Sequence, residues 1–176
     1  IEFGKYFKVI GFDNNKNRIT QLNSHYDKNS QINKKSFNQS KLLKFSSDSN
    51  SISRSNIYIV TVPTPILKNK KPDLRLIINS INLICEYISK NDLIILESTV
   101  YPGVTEDVCA KIIEKKTSYK LNKDFFMGYS PERINPGDNN HNLTNIIKLV
   151  SGSNKTTLNK VNKLYSKIIK AGTFKV

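Results

Sequence analysis

Three polar loops carry the residue types that could do chemistry in this chain. They are TVPTP at Thr61–Pro65, ESTVYPG at Glu97–Gly103 and YSPERINPGD at Tyr129–Asp138. Each follows a short apolar run of the kind found in buried strands. In an open parallel sheet, ligands bind outside the carboxyl ends of the strands, so we expect the three loops to converge on one crevice. Taken singly, each loop could also be an ordinary turn.

Asp13 is the acidic residue at the carboxyl end of the first predicted strand, Phe7–Phe12. In a dinucleotide-binding fold, a carboxylate at this point accepts hydrogen bonds from the adenosine ribose hydroxyls and repels the 2′-phosphate of NADP. The position therefore favours NAD. An Asp after a strand is also a common turn or cap residue. The G-x-G-x-x-G motif expected about 20 residues earlier would lie before Ile1.

The elements that would position these residues are apolar runs alternating with segments of helical spacing, the pattern of βαβ units. The predicted strands are Phe7–Phe12, Ile57–Val62, Leu93–Leu96, Phe125–Tyr129 and Ile147–Val150. The predicted helices are Asn14–Asn23, a segment from Asp73 as N-cap to Ile88, one from about Thr105, and a last one over Leu158–Ile168. Ser24–Asn56 predicts a loop, a weak helix near Lys34–Leu43 and a short strand. The expected fold is α/β, a Rossmann-like parallel sheet with flanking helices, lacking its first strand and glycine-rich loop.

Length and composition fit one soluble globular domain. The chain has 176 residues, 38% of them apolar, and no apolar run approaches the roughly 18 residues of a membrane helix. Charges interrupt the N-terminus before a signal peptide could form. Two cysteines are too few for a disulfide framework, so we expect a cytoplasmic protein without a membrane partner.

The net charge of +14 could indicate an acidic partner. However, 24 of the 28 basic residues are Lys, scattered along a chain with 22 Asn. This dispersion favours a solvated lysine-rich surface over a nucleic-acid site. The densest cluster, Lys68–Lys71, lies between Pro65 and Pro72, which indicates an exposed loop without interleaved aromatic residues.

Five runs resemble the UDP-glucose/GDP-mannose dehydrogenase family. Within that family, their resemblance is strongest to the UDP-N-acetylhexosamine 6-dehydrogenases. They are FKVIGFDNNKNRITQLN, IYIVTVPTPILKNKKPDL, LIILESTVYPGVTEDVC, FFMGYSPERINPGD and KLVSGSNKTTLNKVNKLYSKIIKAGTFKV. Together they cover most of the chain in the family's order, and only Ser24–Asn56 matches poorly. The resemblance implies that residues 1–176 are part of an NAD-binding domain, truncated at both ends, with the helical linker and the C-terminal UDP-sugar domain absent.

The resemblance also implies roles for individual residues. Asp13 and Arg18 would hold the adenosine end of NAD, Thr64 would lie along the cofactor, and Thr99 would approach the nicotinamide and the reacting sugar carbon. Glu132 would act as the active-site glutamate, orienting water or serving as a general base. The residues expected to contact the sugar nucleotide are Glu132, Arg133, Ile134 and Asn135. Alternatively, Ser98 and Thr99 could cap the following helix, and Arg133 could be a structural ion-pair partner.

The family reaction oxidises the sugar C6 alcohol twice, reduces two NAD and passes through a covalent intermediate on a cysteine. We expect that cysteine beyond Val176, because Cys85 and Cys109 lie on apolar helix faces as small hydrophobic residues. The segment alone is therefore expected to be inactive, and its parent to be a homo-oligomer. His25 and His141 have no motif around them, and no metal is expected.

Two further hypotheses remain open. The chain could be a non-catalytic remnant of a degraded or split gene, in which the motifs survive without activity. It could also be a basic nucleic-acid-binding module, although it shows neither a recognition motif nor a basic stripe.

Overall fold

In the computed structural model, which describes residues 1–132 and 143–176, the chain divides into two units, Ile1–Arg54 and Ser55–Val176. The first unit contains a 3-10 helix at Glu2–Lys5, strand β1 (Val9–Phe12), helices α1 (Lys16–Asn23) and α2 (Lys34–Gln39), strand β2 (Leu43–Ser46) and a 3-10 helix at Ser49–Ile52. Strands β1 and β2 pair in parallel. The helix and the short strand expected within Ser24–Asn56 are thereby confirmed.

Helix α1 follows β1 because the intervening residues end the strand and cap the helix. The Asn15 side chain accepts a hydrogen bond from the Arg18 backbone N–H at 3.1 Å, which satisfies one of the free donors of the first turn. Ile19 and Leu22 are buried, as their spacing predicts. The β1–α1 step thus places Asp13 in the connection between the two elements.

The described residues of the second unit form a five-stranded sheet and four helices. In chain order its elements are β3 (Ile57–Val60), α3 (Arg75–Ile84), β4 (Leu93–Leu96), a π-helix (Val104–Ala110), α4 (Lys111–Thr117), β5 (Phe126–Tyr129), β6 (Lys148–Gly152), α5 (Lys155–Tyr165) and β7 (Thr173–Lys175). The strand order is β3-β4-β5-β6-β7. All four residues of β4 are buried, which agrees with a strand that has neighbours on both sides.

The register of the three parallel strands aligns their carboxyl ends. Val60 pairs with Leu96, and Leu96 pairs with Tyr129, so the three strands end in one row. Backbone hydrogen bonds continue one step further, from Glu97 N–H to Val60 O at 2.9 Å and from Ser130 N–H to Leu96 O at 3.0 Å. The loops that follow these strands therefore start side by side.

Strand β6 differs from the expected parallel sheet because it runs antiparallel to β5. Its first residue, Lys148, consequently lies at the carboxyl end of β5 rather than at the opposite edge of the sheet. The last predicted element was a helix, whereas strand β7 follows α5 and pairs in parallel with β6.

Three predicted helix boundaries are corrected. The N-cap of α3 is Leu74 instead of Asp73, although the Asp73 carboxylate still accepts the Arg75 backbone N–H at 3.0 Å. Helix α3 ends at Ile84 and α5 ends at Tyr165, so the buried residues Ile88 and Ile168 lie just outside them. The segment expected to be helical from Thr105 begins as a π-helix. The described part of the chain contains no helix with the length and apolar character needed to cross a membrane.

Candidate functional site

The loops after β3, β4 and β5 line one cavity of about 440 Å³ at the carboxyl edge of the second sheet. Its lining residues are Thr61, Val62, Pro63, Thr64, Glu97, Ser98, Thr99 and Glu132. The expected convergence of the three loops is confirmed as far as the described residues extend. The lining combines hydroxyl groups with two carboxylates, a set that can bind a polar ligand and exchange protons with it.

Two side-chain hydrogen bonds tie the first two loops together. The Thr64 hydroxyl donates to the Thr99 carbonyl oxygen at 2.7 Å, and the buried Ser98 hydroxyl donates to the Val62 carbonyl oxygen at 2.6 Å. The π-helix begins after Gly103 without a side-chain cap. The alternative role of Ser98 and Thr99 as helix caps is therefore wrong, and the Thr99 side chain is exposed at the cavity.

Glu132 and Glu97 share one buried cation. The Lys148 Nζ lies 3.6 Å from Glu132 Oε2 and 3.5 Å from Glu97 Oε2. It also donates a hydrogen bond to the Pro131 carbonyl oxygen at 3.2 Å. The Lys148 side chain is only 4% exposed, whereas that of Glu132 is 42% exposed. Glu132 thus presents a carboxylate to solvent while a fixed ammonium group lies behind it.

Tyr165 is the most deeply buried member of the cluster that it forms with Lys148, Glu97 and Glu132. Its hydroxyl donates a short hydrogen bond to Glu97 Oε1, and the Lys148 Nζ lies 5.7 Å from the centre of its ring. Tyr165 is fully buried. Burial, followed by the charge of Glu97, raises the pKa of Tyr165 well above its ordinary value, so the phenol remains a hydrogen-bond donor.

In the first unit, Asp13 and Arg18 have different surroundings. Asp13 is partly exposed, and its Oδ1 accepts the Asn15 backbone N–H at 2.8 Å. The Arg18 Nη2 instead donates to the buried Asp27 Oδ1 at 2.7 Å. The Arg18 Nη1 is buried and has no hydrogen-bond partner among the described residues. Asp13 is therefore open to a ligand, while part of the Arg18 guanidinium stabilises the fold.

Neither cysteine has the surroundings of a nucleophile. Cys109 is fully buried, and burial raises the pKa of its thiol to about 11, with a smaller contribution from Glu106. Cys85 is half-buried, and burial raises the pKa of its thiol as well. Because the thiolate is the reactive form, both thiols are poorly suited to covalent catalysis. The expectation that they act as small hydrophobic residues agrees with these surroundings.

Sequence reasoning overlooked two members of the cluster, Lys148 and Tyr165. Tyr165 has the spacing of a core position on the last helix, and Lys148 resembles the many solvated lysines of the chain. The only signal was a lysine within the apolar run Ile146–Val150, where a charge needs a partner. The predicted sugar-nucleotide contacts Arg133, Ile134 and Asn135, as well as His141, lie outside the described residues.

Comparison with known proteins relates the chain to one family. Residues 4–169 match the NAD binding domain of the UDP-glucose/GDP-mannose dehydrogenase family. The chain is 43% identical to UDP-N-acetyl-D-glucosamine 6-dehydrogenase of Salmonella typhi over 175 residues, which is 99% of this chain and 41% of that protein. It is 42% identical to the enzyme of the same name from Pseudomonas aeruginosa, again over 99% of this chain and 42% of that protein.

Solved structures show the same relationship. The UDP-D-ManNAc dehydrogenase of Pyrococcus horikoshii superimposes with a TM-score of 0.90 at 27% identity, covering 99% of this chain and 43% of that one. A ternary complex of GDP-mannose dehydrogenase from Pseudomonas aeruginosa, at 22% identity and with a TM-score of 0.86, covers 99% of this chain and 42% of that one and shares the fold. The chain thus spans about two-fifths of the length of these relatives.

Proposed function

The chain belongs to the UDP-glucose/GDP-mannose dehydrogenase family, and from this membership we propose that its full-length protein is an NAD-dependent UDP-N-acetylhexosamine 6-dehydrogenase. In this proposal the enzyme oxidises the sugar C6 alcohol to the uronate in two hydride transfers, for surface-polysaccharide synthesis. The observation that carries it is the cavity in which Thr64, Thr99 and Glu132 meet at the carboxyl edge of the sheet. These are three of the residues that the family resemblance selects.

The residues available for NAD fit the needs of a dinucleotide. A carboxylate such as Asp13, partly exposed and directly after β1, suits the ribose hydroxyls of the adenosine half and disfavours the extra phosphate of NADP. Arg18 would contact the same half of NAD. Because its Nη2 donates to Asp27, only the rest of its guanidinium group would be available for this contact. Thr64 and Thr99 would line the nicotinamide half. When bound, NAD supplies the hydride acceptor.

Thr99 and Glu132 would act on the sugar. The exposed Thr99 hydroxyl can donate to, or accept from, an oxygen on the reacting carbon without adding a charge. The exposed Glu132 carboxylate can accept a proton from a water molecule and orient that water for attack. Its neighbours Arg133, Ile134 and Asn135 would contact the sugar nucleotide through side chain and backbone.

The proposal also covers the cellular location of the enzyme and the part of the protein outside this sequence. We propose a cytoplasmic location, which is supported by the free thiols of Cys85 and Cys109. The catalytic cysteine and the sugar-nucleotide domain would belong to the part of the protein outside this sequence. Homo-oligomer formation also remains a prediction.

An assay of the full-length protein tests this function. Purified protein is incubated with NAD and, in parallel, with UDP-N-acetylglucosamine, UDP-N-acetylgalactosamine, UDP-N-acetylmannosamine or UDP-glucose. We expect two NADH per sugar with at least one N-acetylhexosamine, and a much lower rate with NADP. Activity with UDP-glucose alone, or one NADH per sugar, would contradict the proposal.

A further inference from the structure

Among the described residues, the cluster behind the cavity contains one buried cation, Lys148, for the two carboxylates of Glu97 and Glu132. Lys148, at the start of β6, points its Nζ between Glu97 at the end of β4 and Glu132 after β5. The Lys148 Nζ is about equally far from the two carboxylates, at 3.5 Å from Glu97 Oε2 and 3.6 Å from Glu132 Oε2. One ammonium group therefore screens both carboxylates from each other. Without it, two like charges would face each other at the floor of the cavity.

Both oxygens of Glu97 are held. The Tyr165 hydroxyl donates to Oε1, and Lys148 lies next to Oε2. Tyr165 is fixed by complete burial at the end of α5, and its ring lies 5.7 Å from the same ammonium group. The Glu97 carboxylate and the Tyr165 ring therefore both lie next to the Lys148 ammonium group.

Glu132 is held at two points by the same lysine. Lys148 Nζ lies near its carboxylate and donates a hydrogen bond to the carbonyl oxygen of the preceding residue, Pro131. The Glu132 backbone N–H also donates to the Glu97 carbonyl oxygen at 3.3 Å. The Glu132 side chain is 42% exposed, and its contact with Lys148 restricts the rotamers that it can adopt. Here its backbone and its carboxylate are both tied to the neighbouring strand ends.

We propose that Lys148 and Tyr165 are positioning residues, which hold Glu97 and, through Lys148, fix the Glu132 carboxylate in the orientation it uses on the sugar nucleotide. This inference rests on the proposed function and assigns it two residues that lie outside the cavity lining. Neither residue touches the substrate in this account. Their effect is to keep the reacting groups in place, and misplacement by about 1 Å can cost about 100-fold in rate.

Three variants of the full-length enzyme test the proposal. Lys148→Met keeps a long side chain and removes the charge, Lys148→Arg restores the charge, and Tyr165→Phe removes only the hydroxyl group. The matched control is Lys111→Met, because Lys111 is 68% exposed on α4 in an ion pair with Glu114. Steady-state assays give kcat and KM for the sugar nucleotide, equilibrium dialysis gives the Kd for NAD, and thermal unfolding gives Tm.

We expect Lys148→Met to lower kcat by about 10- to 100-fold while the Kd for NAD changes by less than about twofold. Lys148→Arg should recover part of that loss. Tyr165→Phe should lower kcat by about 3- to 10-fold, because it removes the hydroxyl group that donates to Glu97. The control variant should match the wild type in kcat. Tyr165→Phe is expected to fold even if Lys148→Met does not, because the aromatic ring keeps its packing.

Different results would overturn different claims. If wild type is active and the folded variants keep kcat within twofold while Tm falls, the cluster is structural and the positioning role is wrong. If Lys148→Met weakens NAD binding as strongly as it lowers kcat, the cluster acts on the cofactor site and the inference also fails. If the wild type produces no NADH from any UDP-sugar, the proposed function itself fails and this inference falls with it.

Discussion

At the scale of residues, Glu132 is the group on which the proposed chemistry depends most. Glu132→Gln preserves size but cannot accept a proton. We expect kcat to fall by about 100- to 10,000-fold, the usual range for loss of a general base, with KM for the sugar nucleotide changing far less. Steady-state kinetics of the full-length enzyme measure both constants.

The control for this substitution is Glu106→Gln, since Glu106 is an exposed glutamate in the first turn of the π-helix. It should retain the wild-type kcat. A Glu132→Gln variant whose kcat stays within a few-fold of wild type would show that Glu132 is not the base.

A second prediction for a single residue concerns Asp27 and the free energy of unfolding. Burial alone would raise its pKa, but the Arg18 hydrogen bond and three backbone N–H donors outweigh burial and lower it. These donors belong to Asn29, Gln31 and Ile32, at 3.2, 2.9 and 2.9 Å. A carboxylate with a lowered folded pKa contributes stability that is present above its unfolded pKa of about 3.9 and is lost as pH falls through the folded value.

Asp27→Asn should therefore reduce the free energy of unfolding by about 1–3 kcal/mol at pH 7, since it leaves the partly exposed Arg18 guanidinium without its charged partner. The difference from wild type should shrink as pH is lowered below about 4. Urea unfolding between pH 7 and pH 3 measures it, with the exposed Asp48→Asn as control. A gap that stays constant down to pH 3 would exclude this charge-based account.

Sequence alone located some of these residues and overlooked others for identifiable reasons. Strand ends gather ligand-binding groups in parallel sheets, so the apolar runs indicated the loops that hold Asp13, Thr99 and Glu132. The family resemblance then selected Thr99 and Glu132 within their loops. Asp27 binds backbone N–H groups of its own loop, which no spacing rule reveals. Lys148 was missed because its environment depends on the direction of a strand.

At the level of secondary-structure elements, the direction of β6 decides where Lys148 lies. The run Ile147–Val150 predicts a strand, observed as β6 at Lys148–Gly152, but its apolar pattern is the same in either direction. Parallel connections need a crossover, usually a helix, and the residues between β5 and β6 show no helical spacing. The absent helix pattern could have indicated the antiparallel strand, and hence a lysine behind the cavity lining.

Packing of α5 against β6 gives a prediction at the same scale. A Cβ at Gly152 would lie 2.3 Å from the Leu158 backbone nitrogen and 2.7 Å from the Leu158 Cα. Because these are backbone atoms of α5, Gly152→Ala must push the helix away from the strand. We expect a loss of about 1–3 kcal/mol in the free energy of unfolding, and a lower kcat because α5 carries Tyr165.

Thermal and urea unfolding measure the first effect, and the NADH assay measures the second. Thr156→Ala, on the exposed side of the same helix, should leave both unchanged. Wild-type stability in Gly152→Ala would mean that the close approach of α5 to β6 does not constrain this position.

At the scale of the whole molecule, the chain carries an NAD-binding domain with a Rossmann-like fold and spans about two-fifths of its relatives. The sequence predicted this class because the strand-helix alternation is long and regular. The last strand escaped prediction, since Thr173–Lys175 is only three residues long and has no apolar run. Five motifs in family order were enough to identify the cofactor, whereas the choice of sugar remains a proposal.

We infer that the cofactor and the sugar meet in the cavity formed by Thr64, Thr99 and Glu132. A crystal structure of the full-length protein with NAD and UDP-N-acetylglucosamine tests it most directly. We expect the nicotinamide ring against Thr99 and the sugar C6 hydroxyl within hydrogen-bond reach of Thr99 or of a water molecule held by Glu132. Ligands bound elsewhere, with this cavity filled only by solvent, would contradict the account.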